Sequence, residues 1–255
     1  MTAVLVREEG PVRVVTLNRP ERLNAIDMAM LDGLDAALAG AEAEAGVRAI
    51  LLEGAGRAFS AGDDLEDQLR ISADGRAAVV RQVEVLQRIS ERMLFGAKPV
   101  VGAVQGWAVG GGFAWTLNCD FALWAEDARG FLPEIAYGLF VSGGASWLLP
   151  RLAGAAFARE MILRGRPRGC ARIARGRRRE PRRSAVRLRK RRWRWPRNSR
   201  RCRPTAWRAP SARCSRRTAR RSSAMRLEAE ACIAGACDPV ALARLTAVAA
   251  GRKSR

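Results

Sequence analysis

Apolar residues fall along the first two thirds of the chain in runs whose period changes from segment to segment. Val12–Leu17 and Arg48–Gly54 are short, strand-forming and almost continuously apolar, the pattern of strands buried on both faces. Between them Leu31, Leu34 and Leu38 recur at helical spacing behind Asp27, whose carboxylate suits an N-cap. The predicted order is strand, helix, strand. A long helix follows, with Val79, Val83, Leu86, Ile89 and Met93 on one face, and leads to another strand at Val100–Val104. Ala153–Leu163 reads as a further amphipathic helix.

The strand at Val100–Val104 lies inside Lys98–Cys119, KPVVGAVQGWAVGGGFAWTLNC, which joins it to three consecutive glycines and then to an apolar helix over roughly Gly112–Asn118. Glycine has no Cβ, so Gly110, Gly111 and Gly112 admit strained dihedrals and the close approach of a ligand to the main chain. The first N–H groups of the helix lack partners and sit at the positive end of its dipole. The run is therefore either a cradle for developing negative charge or a device for tight strand-to-helix packing. Two other stretches carry related turns: GRAFSAGDDL at Gly56–Leu65, and FLPEIAYGLFVSGG at Phe131–Gly144, with Glu134 behind Pro133.

At 255 residues and 27.8 kDa the chain suffices for one large α/β domain or two small ones, one being the simpler reading. It contains no histidine, which excludes Ser-His-Asp and Cys-His catalysis and HExxH zinc sites, and leaves proton transfer to carboxylates first, with lysine, tyrosine or cysteine as alternatives. Its six cysteines include no CxxC pair, so neither a disulfide framework nor a metal site is expected. No stretch reaches eighteen apolar residues and the N-terminus has no apolar leader, so no membrane partner and a cytoplasmic location are expected.

The net charge of +21 is unevenly spread. Residues 1–165 hold 16 basic and 21 acidic side chains, and residues 166–255 the remaining 30 and 4. From Arg168 to about Ser223 the chain is dominated by arginine, with Glu180 the only acid, and has too little patterned apolar surface to offset the entropy of ordering it. A basic arm stacking Trp193, Trp195 and Trp207 on bases is one reading. The net acidity of the first 165 residues argues against a nucleic-acid partner. The other reading is a frame error over about residues 166–223. In GC-rich codons RWRWPRNSRRCRPTAW can be written so that a one-base shift gives an alanine-leucine helix. Helical patterning returns at Arg226–Ala250.

In order and spacing, the three glycine-bearing runs resemble the crotonase superfamily, the enoyl-CoA hydratase/isomerase family. The resemblance implies an α/β fold, a spiral of repeated ββα units with C-terminal helices. It covers a core at 1–165 and a C-terminal helical segment at 224–255; between them composition sets apart the anomalous Arg-rich segment at 166–223 as disordered. It also implies an acyl-CoA thioester substrate, with coenzyme A entering as part of that substrate and no separate cofactor or metal, and a homotrimer or dimer of trimers.

Carried over position by position, the catalytic set is the main-chain N–H groups of Asp63 and Gly111, forming an oxyanion hole, with Glu134 as acid–base. NRPERLNAI at Asn18–Ile26 resembles the loop that grips coenzyme A, making Arg22, Leu23 and Ala25 contacts; a solvated surface role for Arg22 stays open. Ala61, Gly62, Asp64, Leu65, Trp107, Val109, Gly110, Pro133 and Gly138 complete the implied substrate surface, with Asp64 read as a brace for its loop. Trp107, Phe113, Trp115 and Phe140 either line an acyl pocket or are plain packing. One departure bears on the reaction. Hydratases of the family carry a glutamate where this chain has Ala114, which moves no proton. A lone glutamate can shuttle a proton between two carbons, so the implied reaction is double-bond isomerisation, with hydration or a catalytically inactive CoA-binding homologue as alternatives.

Overall fold

A computed structural model of the chain describes residues 2–169, 173 and 215–253. The first strands, β1 (Val4–Glu9) and β2 (Val12–Leu17), form an antiparallel hairpin turning at Gly10, whose φ of +61° lies in the left-handed region. Asp27 caps α1 (Met28–Ala43), its carboxylate accepting from the Met30 N–H at 2.8 Å, and α1 buries Leu31, Leu34 and Leu38. β3 (Ala49–Gly54) then pairs parallel with β2.

After α2 (Leu65–Ala73), α3 (Arg76–Phe95) lays Val79, Val83, Leu86, Ile89 and Met93 inward, as their spacing predicts. It is tied to α1 by Arg92, which meets Asp35 at 2.7 Å and Glu42 at 2.5 Å. β4 (Val100–Val104) and β6 (Phe121–Trp124) extend the parallel part, giving a five-stranded sheet in the order β1-β2-β3-β4-β6. A second, three-stranded sheet joins β5 (Trp107–Val109), β7 (Arg129–Phe131) and β8 (Arg168–Gly169) in the order β5-β7-β8.

Between β5 and β6 lies α4 (Gly111–Asn118), buried over its whole length. α5 (Glu134–Tyr137), α6 (Ala145–Ala153) and α7 (Ala155–Arg164) follow β7. The helix expected at Ala153–Leu163 is α7; it begins at Ala155 because Gly154, with a φ of +87°, separates it from α6. The Arg-rich segment lies mostly outside the described residues. Inside it, Arg168–Gly169 pair as β8 and Ile173 is buried in the main core. α8 (Ser215–Ala236) starts within it, earlier than the apolar pattern indicates, since arginine is itself a good helix former. α9 (Pro239–Lys253) ends the described chain. The α/β class is as expected, with the sheet core in residues 4–124 and helices from both ends of the chain around it.

Candidate active site

The three glycine-bearing runs are stitched together by main-chain hydrogen bonds. Phe59 N–H donates to Gln105 C=O at 2.9 Å, Ser60 N–H to Trp107 C=O at 3.0 Å, and Val109 N–H to Ser60 C=O at 3.0 Å. On the other side of the same stretch, Ile26 N–H donates to Gly62 C=O and Asp64 N–H to Ile26 C=O, each at 2.9 Å. In this parallel bridge the groups flanking Asp63 face Ile26, so its own N–H points to the opposite side. Among the described residues neither the Asp63 N–H nor the Gly111 N–H has a main-chain acceptor. The second of these is the first amide of α4.

Asn24 and Ser60, both fully buried, hold the junction. Asn24 donates through Nδ2 to the carbonyls of Ala55 and Ala58, and its Oδ1 accepts from Arg19 N–H. The Ser60 hydroxyl donates to Asn24 C=O and accepts from Gly62 N–H. Sequence reasoning missed both residues. Each sits inside a quoted run, but only the fold shows that their polar groups are turned inward.

The three glycines of the central run have separate reasons to be glycine. Gly110 takes φ +50° and ψ −122°, and a Cβ there would stand 3.0 Å from Oε1 of Glu134. A Cβ on Gly111 would lie 3.2 Å from Oδ1 of Asp63, and one on Gly112 only 2.6 Å from Cβ of Ser60. Only the first of the three has a left-handed φ; the third serves close packing.

Around this turn lies a cavity of about 60 Å³. Of the expected substrate surface it brings together Ala61, Gly62, Asp63, Leu65, Val109, Gly110, Pro133 and Glu134. Gln68, Phe131, Tyr137 and Leu139 also line it and were not foreseen; Gln68, three residues after Leu65 on α2, was findable by helical spacing. Gly111 abuts the cavity through Asp63.

The remaining candidates lie elsewhere. Arg22 directs its guanidinium to Asp64 and Glu66, each at 3.1 Å. Leu23, at φ +53°, and Ala25 belong to the strap beside the junction, with Leu23 C=O accepting from Ala61 N–H. Asp64 is the brace: it caps α2 and pairs with Arg19 and Arg22. Burial pushes its carboxyl up, but the Arg22 and Arg19 guanidiniums more than offset this and hold it below the ordinary carboxylate range. Trp107 packs edge-on against Phe131 under Arg129, and Gly138 ends α5 against Ala241 of α9. Phe113 and Trp115 are wholly buried packing, and Phe140 is exposed.

Glu134 is the first residue of α5 and is 5% exposed, with Oε2 shut off from solvent and without a partner among the described residues. Burial pushes its carboxyl up to about 8 against the opposing pull of its own main-chain N–H, with the charges of Asp63 and Glu228 adding to the rise. Asp63 opens partly on the cavity, but its Oδ1 is likewise shielded and unpartnered, and burial pushes it up to about 6. Behind them α8 contributes Glu228 and Cys232. Glu228 accepts from Gly144 N–H at 2.5 Å and Ser146 N–H at 3.0 Å, and burial raises its carboxyl despite these bonds and that of the Ser146 hydroxyl. The Cys232 thiol donates to Val141 C=O at 3.3 Å, and burial pushes it far up, which keeps it a neutral thiol. The site thus offers unclaimed main-chain donors and proton-carrying carboxyls, with no basic side chain among the residues lining the cavity.

Comparison with known proteins agrees with the motifs. Residues 7–175 match the model of the family described as enoyl-CoA hydratase/isomerase. A probable enoyl-CoA hydratase of Rhizobium meliloti is 38% identical over 164 residues, 64% of this chain and 62% of that protein. The 1,2-epoxyphenylacetyl-CoA isomerase of Escherichia coli is 38% identical over 170 residues, 65% of this chain and 63% of its own. The chain thus spans less than two thirds of the length of these relatives. The crystal structure of an enoyl-CoA hydratase/isomerase from Mycobacterium paratuberculosis superposes with a TM-score of 0.81 over 97% of this chain and 98% of that one; at 22% identity this likeness concerns the fold. Motifs, fold and family match agree, and the chain belongs to the enoyl-CoA hydratase/isomerase family.

Proposed function

We propose that the protein moves the double bond of an enoyl-CoA thioester, with Glu134 carrying the proton and the main-chain N–H groups of Asp63 and Gly111 receiving the thioester oxygen. In this reading the Glu134 carboxylate takes a proton from the α carbon of a 3-enoyl-CoA. The electron pair delocalises onto the thioester oxygen, where the two amides and the positive end of α4 stabilise it. The protonated Glu134 then returns the proton at the γ carbon, giving the 2-enoyl-CoA.

The observation that carries this reading is the state of Glu134: buried, unpaired at Oε2, and raised to about 8 on the wall of the cavity that holds the Asp63 backbone. A carboxyl held there is a far stronger base than an ordinary glutamate; its proton-accepting form is a minor one at neutral pH and grows as pH rises toward 8. Ala114, buried and without a titratable group, leaves α4 with no acid–base residue of its own.

An ultraviolet assay with a 3-enoyl-CoA, on the wild type and Glu134→Gln, tests it. The expected result is conversion by the wild type and a loss of about 10²–10⁴-fold in the variant. Unchanged turnover in the variant removes Glu134 from the mechanism.

A further inference from the structure

We infer that the side chain of Asp63 is a second acid–base group of this site, acting with Glu134 across the Gly110–Gly111 turn, so that the cavity adds water to a 2-enoyl-CoA as well as moving its double bond. This rests on the reading of Glu134 above and extends it to a residue until now credited only with its backbone.

Two adjacent aspartates in one loop have opposite fates. Asp64 spends its carboxyl on structure, capping α2 and pairing with Arg19 and Arg22. Asp63 does none of this. Its Oδ1 is buried with no hydrogen-bond partner among the described residues and no counter-ion, a costly arrangement that folding alone does not require. Glu134 Oε2 is in the same condition, and both residues line the same cavity.

Their placement relative to the main chain is reciprocal. Asp63 Oδ1 faces Gly111 and Glu134 Oε1 faces Gly110, so the two carboxyls flank one peptide unit. The place of Ala114 on α4 offers no room for a competing carboxyl. Ala114 is 1% exposed, and its Cβ would stand only 2.9 Å from a Cβ on Gly143. The cavity of about 60 Å³ exceeds the roughly 10–15 Å³ that one water occupies on this measure, so water and reacting carbons fit beside the pair.

The titratable groups facing the pair are Glu228 and Cys232 of α8 and Tyr137 of α5, and no basic residue lines the cavity. Near neutral pH two carboxyls in such surroundings hold about one proton between them. With Asp63 titrating near 6 and Glu134 near 8, the ionised member is Asp63 and the protonated one Glu134. Asp63 takes a proton from water as the water oxygen bonds to the β carbon. The double-bond pair moves onto the thioester oxygen as an enolate. Glu134 gives its proton to the α carbon, and the thioester re-forms. One water is consumed, and the proton gained by Asp63 equals the one lost by Glu134, which solvent resets.

The test measures hydration of a 2-enoyl-CoA and isomerisation of a 3-enoyl-CoA on the same preparations of wild type, Asp63→Asn, Asp63→Ala and Glu134→Gln. The expected result is that in both Asp63 variants hydration falls at least about tenfold further than isomerisation, which itself shifts to lower pH as Glu134 loses the Asp63 charge while the residue 63 amide remains. Glu134→Gln loses both. The wild-type hydration profile is expected to be a bell with limbs near 6 and 8. A wild type that isomerises but does not hydrate, or Asp63 variants that keep the wild-type ratio of the two rates, overturns the role of Asp63 and leaves that of Glu134 standing. Glu134→Gln with undiminished isomerisation overturns both.

Discussion

A Cβ on Gly110 would stand 3.0 Å from Oε1 of Glu134, so the carboxyl rests directly on the main chain of the turn. At φ +50° and ψ −122° the backbone of Gly110 lies where L side chains are strained whatever the space. Gly110→Ala therefore meets two penalties, about 1–3 kcal/mol of backbone strain and the displacement of Glu134. The expected outcome is a lower melting temperature together with at least a tenfold loss of isomerisation. Retention of both would mean that Glu134 does not depend on the turn.

The raised carboxyls make stability fall with pH. Asp63 and Glu134 both bind protons more tightly in the folded chain than in the unfolded one, so the native state is favoured below the ordinary carboxylate range. That advantage is lost as pH rises from about 4 through about 6 for Asp63 and about 8 for Glu134. Glu134→Gln removes one of the two charges and breaks no hydrogen bond at Oε2. Urea unfolding is expected to give equal stabilities at about pH 4 and a variant more stable than wild type by on the order of a few kcal/mol above pH 8. A variant that is less stable at high pH would show that the Glu134 carboxylate has a partner beyond its own N–H.

Asp64 carries the opposite expectation. Its carboxyl, 6% exposed, closes the loop through Arg19 and Arg22 and caps α2. Asp64→Ala leaves two guanidiniums and a helix end without their acceptor, a loss of about 2–4 kcal/mol. Held below the ordinary range, Asp64 contributes stability that is present at neutral pH and disappears as pH falls through its lowered value. The difference between wild type and Asp64→Ala is thus expected to shrink in acid, as chemical denaturation at two pH values will measure.

What was legible in the sequence followed from burial. β2, β3, β4 and α3 are lined by residues buried at the period of their element, so their outlines could be read directly. β1 was not, because five of its six residues face solvent on the sheet edge, Leu5 and Val6 among them, so apolar and polar positions do not alternate. β5, β7 and β8, of two or three residues each, are too short for any periodicity. At the site, Asp63, Gly110 and Glu134 were named from their motifs, but nothing local says that the Asp63 carboxyl turns toward Gly111 while its neighbour turns toward two arginines. Glu228 was invisible for a different reason. It follows the Arg-rich stretch, far along the chain from the residues it serves, and only the packing of α8 brings it beneath the cavity.

Glu228 holds the last part of the described chain to the first. It accepts from Gly144 N–H, Ser146 N–H and the Ser146 hydroxyl, so a carboxylate on α8 caps the start of α6. Its charge also helps to raise Glu134. Two substitutions separate these roles. Glu228→Ala removes tether and charge, and is expected to cost about 2–4 kcal/mol and to speed amide exchange along α8. Glu228→Gln keeps most of the hydrogen bonding and removes the charge alone. It is expected to lower the pH at which isomerisation reaches half its maximum, since Glu134 then ionises more readily. If that midpoint stays fixed in Glu228→Gln while exchange along α8 accelerates in Glu228→Ala, Glu228 acts only as a tether, and the high value at Glu134 comes from its burial and from Asp63.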